Sequence, residues 1–329
     1  MNQFSVVLAT RNRPQLFARA LSSVLAQTFE NIQIIVVNDG SDEEHVACYD
    51  SAIDAADRPI QSWHLARRPN GHGQSYSINV GVSQANGEYV CFLDDDDVWT
   101  DQAYLARINT AILNSEASPE LIFSNQTAYL GDQQKRGPIW LDDLASKLSR
   151  SGRSVQANGH LCVSVIDLLG SGGFCHLNTM VVRRSLYNSV NGMDEGLRWE
   201  CDHDLFLRLI DKAKWMELSP MVVSRHNIPD PASASSMTTS LSDIQRRLYQ
   251  LRVFDKACLF ASHPAIRIHG RQQKGYVLKR IAETLAARQD YSSASFYACE
   301  ALSVKPTLKW TIYTGTLLLR SLVGRQGAG

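Results

Sequence analysis

Apolar and polar positions fall into regular blocks along the first part of the chain. Phe4–Ala9 is a short apolar run that reads as a strand. Pro14 suits the first turn of a helix, and Leu16, Phe17, Ala20, Leu21, Val24 and Leu25 recur behind it at helical spacing. The next strand, Ile32–Val37, is apolar on both faces, as a buried parallel strand should be, and it ends in Asn38-Asp39-Gly40-Ser41-Asp42. Strand, helix and strand with a polar loop at the carboxyl end make a βαβ unit. A third strand near Ile60–Leu65 carries Arg67 and Arg68 just past its end, and a helix from about Gln74 to Ala85 returns the chain to Tyr89.

The strand that follows is the most informative stretch. Tyr-Val-Cys-Phe-Leu runs straight into Asp94, Asp95, Asp96 and Asp97, then Val98 and Trp99. If the strand continues through the acids, Asp94 and Asp96 point one way and Asp95 and Asp97 the other, so the first pair can converge on a hard divalent cation. A solvated acidic turn with Asp97 capping a helix is the plain alternative. In parallel sheets ligands bind beyond the carboxyl ends of the strands, which puts residues 10–13, 38–42 and 94–97 on one rim.

Beyond Trp99, Asp101 opens a helix bearing Tyr104, Leu105, Ile108, Ile112 and Leu113 on one face, and Leu121–Ser124 reads as a strand. Residues 131–173 hold clusters of Gly, Ser, Lys and Arg with two short amphipathic pieces, and read as an insertion beside a binding cleft or as a mobile lid. Asn178–Arg183 is an alternating strand. Leu205, Phe206, Leu209 and Ile210 bury one face of a helix that leaves Asp202 at its amino end, where the helix dipole favours a carboxylate. Two short strands follow, Trp215–Leu218 and Met221–His226, and then a flexible Pro- and Ser/Thr-rich segment that ends at Ser240. From Leu241 the pattern is helical and reads as a small appendage.

Lys+Arg and Asp+Glu balance at 33 each, so no global field recruits nucleic acid, although acids cluster early and bases dominate the end. The seven cysteines form no close pair, which indicates reduced thiols and a cytosolic setting. No signal peptide is visible at Met1–Ala9, and Trp310–Val323 is too interrupted and too short for a membrane span. The tail Lys305–Arg325 has four bases and no acid among its aromatic and aliphatic residues. It suits either the surface of an anionic bilayer, at the cytoplasmic face of a membrane, or packing against the rest of the chain.

Residues 23–42, Asn79-x-Gly81 and Ala85-x-Gly-Glu-Tyr-Val-x-Phe-Leu-Asp-Asp-Asp-Asp-Val-Trp99, in this order and spacing, resemble the family two inverting glycosyltransferases. Gly192-Met-Asp-Glu, followed by Cys201-Asp202-His203-Asp204 and an amphipathic helix, resembles the second signature of that family. The resemblance implies an α/β fold of the GT-A type: a Rossmann-like mixed sheet flanked by helices, with a helical C-terminal region. Residues 1–240 would be the catalytic domain, with a nucleotide-sugar-binding half at 1–125, the insertion at 131–173 and an acceptor half at 174–228. Residues 241–329 would be the appendage.

It further implies a nucleoside diphosphate sugar donor, a UDP- or dTDP-sugar, and a glycan or lipid-linked acceptor of the bacterial surface-polysaccharide or lipopolysaccharide kind. The donor would meet Thr10, Arg11, Arg13, Asp39, Asn79, Asp94 and Asp95, with Arg67 or Arg68 near the base or phosphates. Mg2+ or Mn2+ would be held by Asp96, with Asp94 and His226 as further ligands, and Asp202 would be the catalytic base. Two departures stand out: Ile78 occupies a position where many relatives have Arg, and Cys201 replaces a Glu. Competing readings are a sugar nucleotidyltransferase, whose Gly-rich loop after the first strand is missing here, and a non-catalytic binding or scaffold protein on the same fold.

Overall fold

The computed structural model describes residues 3–139, 141, 143–228 and 241–326. The chain divides into two compact units, Met1–Ala232 and Ser233–Gly329. The flexible segment expected up to Ser240 lies, from Pro229 onward, outside the described residues.

The first unit begins with alternating strands and helices: β1 (Phe4–Thr10), α1 (Pro14–Leu25), β2 (Ile32–Asn38), α2 (Glu43–Asp54), β3 (Ile60–His64), α3 (Gln74–Ser83) and β4 (Tyr89–Asp94). These four strands are parallel, in the order β3-β2-β1-β4. Phe4, Val6, Leu8, Ile34, Val36, Tyr89, Cys91 and Leu93 are buried in one core with Phe17, Leu21 and Val24 of α1. Both faces of a parallel sheet are covered, which is why these strands read as nearly continuous apolar runs. Helix α2 has no counterpart in the sequence pattern because Tyr49 is the residue it fully buries, and one residue carries no periodicity.

The acids do not continue the strand. β4 ends at Asp94, residues 95–96 turn, and the chain re-enters the sheet as β5 (Val98–Trp99). Strand alternation therefore does not govern Asp95–Asp97. After α4 (Tyr104–Leu113), β6 (Leu121–Leu130) is longer than expected and forms a hairpin with β7 (Gln133–Ile139). Helix α5 (Leu144–Arg150), β8 (Leu161–Cys162) and α6 (Val165–Gly170) complete the 131–173 region, and β8 pairs with β10 (Met216–Asn227). Far from being a plain loop, this region joins the sheet at two places and buries Leu144, Leu148, Leu161, Val163 and Leu168. The two short strands expected at 215–218 and 221–226 are one strand, β10, whose register shifts between Leu218 and Val222 around Pro220, which lacks the amide proton a ladder needs.

β9 (Met180–Arg183) runs antiparallel between β4 and β6, with Val181 opposite both Cys91 and Ile122. It makes the sheet mixed and sets the preceding turn, residues 176–178, beside the acids. Helices α7 (Arg184–Ser189) and α8 (Cys201–Lys212) follow, the latter burying Leu205, Phe206, Leu209 and Ile210 as its spacing predicts.

Among the described residues, the second unit holds four helices: α9 (Asp243–Phe260), α10 (Pro264–Ala287), α11 (Tyr291–Val304) and α12 (Leu308–Gln326). Its core gathers Leu278, Ala282, Ala294, Ala298 and Ala301 around Trp310 and Leu317. The small side chains let the helices approach closely, and Trp310 Nε1 donates to the Ala298 carbonyl at 3.0 Å. Part of the C-terminal tail is thus core of this helical unit. No helix among the described residues is long and apolar enough to cross a membrane.

Glu217 of β10 ties the 131–173 region to the sheet. Its buried carboxylate accepts from Ser115 Oγ at 2.5 Å, Trp215 Nε1 at 2.9 Å and Asn158 Nδ2 at 3.0 Å, and it pairs with His160 Nδ1 at 3.0 Å. Burial alone would raise its pKa, but the hydrogen bonds from His160, Ser115 and Trp215 outweigh burial and lower it. A depressed acid contributes stability that is present above the unfolded value and is lost as pH falls through the folded one. Glu217→Ala, which orphans several buried donors, should cost roughly 2–4 kcal/mol in urea unfolding at neutral pH. That difference should shrink as the pH drops below the ordinary glutamate range; a cost that stays constant with pH would rule out the charged carboxylate as its source.

Candidate active site

The carboxyl ends of β1, β2 and β4 bring Thr10, Asp39 and the acid turn to one rim, and the β9 turn and the start of α8 close it from the far side. Asn178 is the hinge between the two halves. Its Oδ1 accepts from the Asp94 amide at 2.8 Å, its Nδ2 donates to Asp97 at 2.5 Å, and its carbonyl accepts from Trp99 Nε1 at 2.9 Å. One buried amide side chain thus holds both ends of the acid turn.

Each acid has a distinct environment. Asp95 is fully buried, accepts from Thr10 Oγ1 at 2.6 Å and pairs with Arg13 at 2.6 Å. Burial still wins over the guanidinium and raises its carboxyl to about 7. Asp96 pairs with the other arm of Arg13 at 2.7 Å. Asp97, buried, accepts from the Asn227 amide at 2.7 Å and meets His226 Nδ1 at 2.8 Å. Asp94 accepts from Gln74 Nε2 at 2.7 Å, and burial together with the charges of Asp96, Asp97, Asp95 and Asp202 pushes its carboxyl well up.

Asp94 and Asp97 meet His176, a residue that the sequence reading did not single out. The three offer ligand atoms that all lie within 4.8 Å of one another. Two carboxylate oxygens and an imidazole nitrogen suit Mn2+ or Mg2+, with the nitrogen favouring the softer ion. The raised Asp94 carboxyl is what an acid cluster shows when cationic charge is in short supply, so the donor set fits a divalent ion. Burial and the neighbouring His226 lower the His176 pKa to about 3, which keeps its ring neutral, as a ligand must be. Asp96, expected as the principal ligand, is outside this group and on Arg13. His226 adjoins it through Asp97, and its ring centroid lies 5.4 Å from that of His176. Burial works against the His226 cation, but the hydrogen bond and charge of Asp97 more than offset that and raise its pKa.

Asp202 sits at the amino end of α8, and His176 Nε2 lies between it and Asp94, 3.7 Å from the former and 3.5 Å from the latter. Burial, then the charge of Glu200, raises the Asp202 carboxyl to about 6. Glu200 itself adopts φ 60°, a left-handed conformation that is costly for a side-chain-bearing residue, and its carboxylate meets His203 at 2.8 Å. Asp204 is buried and paired with Arg208 at 2.6 Å, and that arginine also donates to the carbonyls of Val190 and Gly192. Asp204 therefore anchors the 190–192 turn to the helix.

The remaining expected donor residues are dispersed along the rim. Asp39 accepts from the amides of His72 and Gly73, each at 2.8 Å, and pairs with the His72 ring at the same distance. Gly71, at φ +61°, lets this loop close, since a Cβ there would stand 2.5 Å from Asp39 Oδ2. Arg11 donates to the carbonyls of Arg68 and Pro69, while the exposed Arg67 pairs with Asp42. Asn79 is engaged elsewhere: its side-chain Nδ2 donates to the Met193 carbonyl and to Glu195, and its Oδ1 accepts from the Met193 amide and the Tyr187 hydroxyl, fastening the 192–195 loop to α3.

The turn at residues 94–97 responds to Arg13. Removing this cation leaves Asp95 buried without a charge partner, so Arg13→Ala should lower stability by about 3 kcal/mol near pH 8. Asp95 has a raised pKa, so its charged form is the disfavoured one in the folded state, and the penalty should be smaller at pH 5, where the carboxyl is protonated. Equal losses at the two pH values in urea unfolding would overturn this account.

Residues 5–136 match the family model described as Glycosyl transferase family 2. An uncharacterized glycosyltransferase of Nostoc sp. is 30% identical over 156 residues, 46% of this chain and 47% of that protein. One from Haemophilus influenzae is 26% identical over 56% of this chain and 52% of the relative. The chain thus spans about half the length of these curated relatives. Among solved structures, S. aureus TarS 1–349 in complex with UDP-GlcNAc superposes with a TM-score of 0.63 at 17% identity, covering 98% of this chain and 82% of TarS 1–349. The mannosyltransferase PcManGT from Pyrobaculum calidifontis, in complex with GDP-Man and Mn2+, gives a TM-score of 0.58 at 15% identity, covering 98% of this chain and 86% of that one. Residues 5–136 are thus the part of the chain that matches glycosyl transferase family 2, and the fold is of the GT-A type.

Proposed function

We propose that this protein transfers a sugar from a nucleoside diphosphate sugar to an acceptor hydroxyl in a single displacement with inversion. The observation that carries the proposal is the Asp202 carboxylate at the start of α8, facing the acid turn across His176. With a pKa raised to about 6 it is still largely ionised at neutral pH and basic enough to take a proton. The acceptor O–H gives its proton to Asp202 as its oxygen bonds to the anomeric carbon. The bond from that carbon to the diphosphate oxygen breaks, and the electron pair leaves with the nucleoside diphosphate.

The donor would lie along the rim between Asp39 and the acid turn, with Thr10, Arg11, Arg13 and Asp95 shaping its floor. The complexes of TarS with UDP-GlcNAc and of PcManGT with GDP-Man support a nucleotide-sugar donor, and a UDP- or dTDP-sugar is the choice for which Asp39 would accept from the N3–H of the base. Mg2+ or Mn2+ would be held by Asp94, Asp97 and His176, and when bound it supplies charge that offsets the departing diphosphate. The acceptor would be a glycan or lipid-linked hydroxyl, in surface-polysaccharide or lipopolysaccharide synthesis on the cytoplasmic side.

Asp202→Asn keeps size and most hydrogen bonding, so turnover should fall by about two to four orders of magnitude while donor affinity in calorimetry stays near wild type. The wild-type kcat/KM should fall about tenfold per pH unit below about 6, as Asp202 takes up a proton, and flatten above it. Asp204→Asn should chiefly lower stability. Retained anomeric configuration in the product by NMR, or an undiminished rate in Asp202→Asn, would sink the mechanism. Calorimetry with Mn2+ alone should show weaker binding in Asp94→Asn and Asp97→Asn than in wild type. Unchanged affinity in both would remove the metal from this group of residues.

A further inference from the structure

The zero net charge of the chain hides a segregation. Residues 241–329 carry 14 basic and 5 acidic side chains, and residues 1–240 carry 19 and 28, a balance of +9 against −9. The last acid of the sequence is Glu300, and Lys305, Lys309, Arg320 and Arg325 follow it. The helical unit is therefore a cationic body with an acid-free end.

Its last helix has two apolar faces. One, with Trp310, Thr314 and Leu317, is buried in the core of the unit. The other consists of Leu308, Ile312, Leu319, Leu322 and Val323, each between 61% and 79% exposed. Their spacing places them on a single stripe of α12, with the open Gly315 among them. Lys309 and Arg320, both exposed, flank that stripe on one side. Large apolar side chains aligned in this way hold a contiguous surface in water, at a cost that a folded protein ordinarily avoids.

Charge decides between the surfaces that could cover it. Two copies meeting along the stripe would bring Lys309 and Arg320 of each against more base, with no acid in the segment to pair them. An anionic bilayer takes the apolar stripe into its acyl boundary and the flanking cations at its headgroups. We propose that the outward face of α12 docks in the plane of an anionic lipid surface. This is independent of the donor chemistry proposed above, so either can fail without the other.

The test is co-sedimentation of the full chain with phosphatidylcholine vesicles, with and without phosphatidylglycerol, over a range of salt concentrations. Binding should require the anionic lipid and weaken with salt. The triple variant Ile312→Ser/Leu319→Ser/Leu322→Ser should keep its circular dichroism melt, because these side chains face solvent, and lose affinity by on the order of a hundredfold. Lys309→Glu should lose roughly tenfold. Failure of the wild type to sediment with anionic vesicles, or equal sedimentation of the triple variant, overturns the proposal. So does a wild-type dimer in analytical ultracentrifugation that the triple variant abolishes, because the stripe would then belong to a second copy. Binding to mixed-sequence duplex DNA as tight as to vesicles and unaffected by the triple variant would reassign the surface to a polyanion and equally overturn it.

Discussion

Four adjacent carboxylates at the end of a buried strand are the constraint around which the first unit is arranged. Like charges in a low-dielectric setting raise one another's pKa and would drive the turn open unless each is met by a donor or cation. The fold meets them from four separate stretches of chain. Thr10 and Arg13 come from the β1–α1 connection, Gln74 from α3, His176 and Asn178 from the turn before β9, and His226 and Asn227 from the end of β10. The antiparallel insertion of β9 beside β4 follows the same need, because that pairing carries Asn178 to both ends of the turn. Even so, burial and the neighbouring acids leave the carboxyls of Asp94 and Asp95 raised.

The legible part of the sequence was the part with strong periodicity or strong chemistry. β1, α1, β2, α3, β4 and α8 are expected from apolar spacing and are found within a few residues of their expected bounds. Asp202 lies where the helix start was expected to put it. What could not be read has a physical cause in each case. Helix α2 buries too little to leave a stripe, β7 is a mostly polar strand with no apolar run, and the two-residue β8 finds its partner only in the assembled sheet. Pro220 divides β10 in the sequence while its pairing with β6 continues on either side of the shift.

The candidate metal-binding group shows the same limit more sharply. Strand alternation pairs Asp94 with Asp96, but a turn at residues 95–96 resets the directions and gives Asp97 the inward place. A lone histidine at 176 has no spacing relation to the acids, which are some eighty residues earlier; only the β4–β9 pairing unites them. Asn79 is a related case. Its motif is visible, but all of its side-chain polar atoms are engaged by the 192–195 loop and Tyr187, so its contribution to the rim is to hold backbone in place.

Cys201 can be understood in the same electrostatic terms. A carboxylate at this position would add a negative charge beside Asp202 and near Asp94, two groups whose carboxyls are already pushed up. Burial, followed by the charge of Asp202, raises the thiol pKa far enough to keep it neutral. As a neutral donor it reaches Gln74 Oε1 at 3.4 Å, while the amide end of that glutamine donates to Asp94. The polarity of Gln74 is thereby set from the α8 side: its oxygen is held by the thiol and its nitrogen is left to face the carboxylate. A thiol rather than an acid at the start of α8 leaves a charge out of a crowded cluster and keeps a hydrogen-bonded link between α8 and the acid turn.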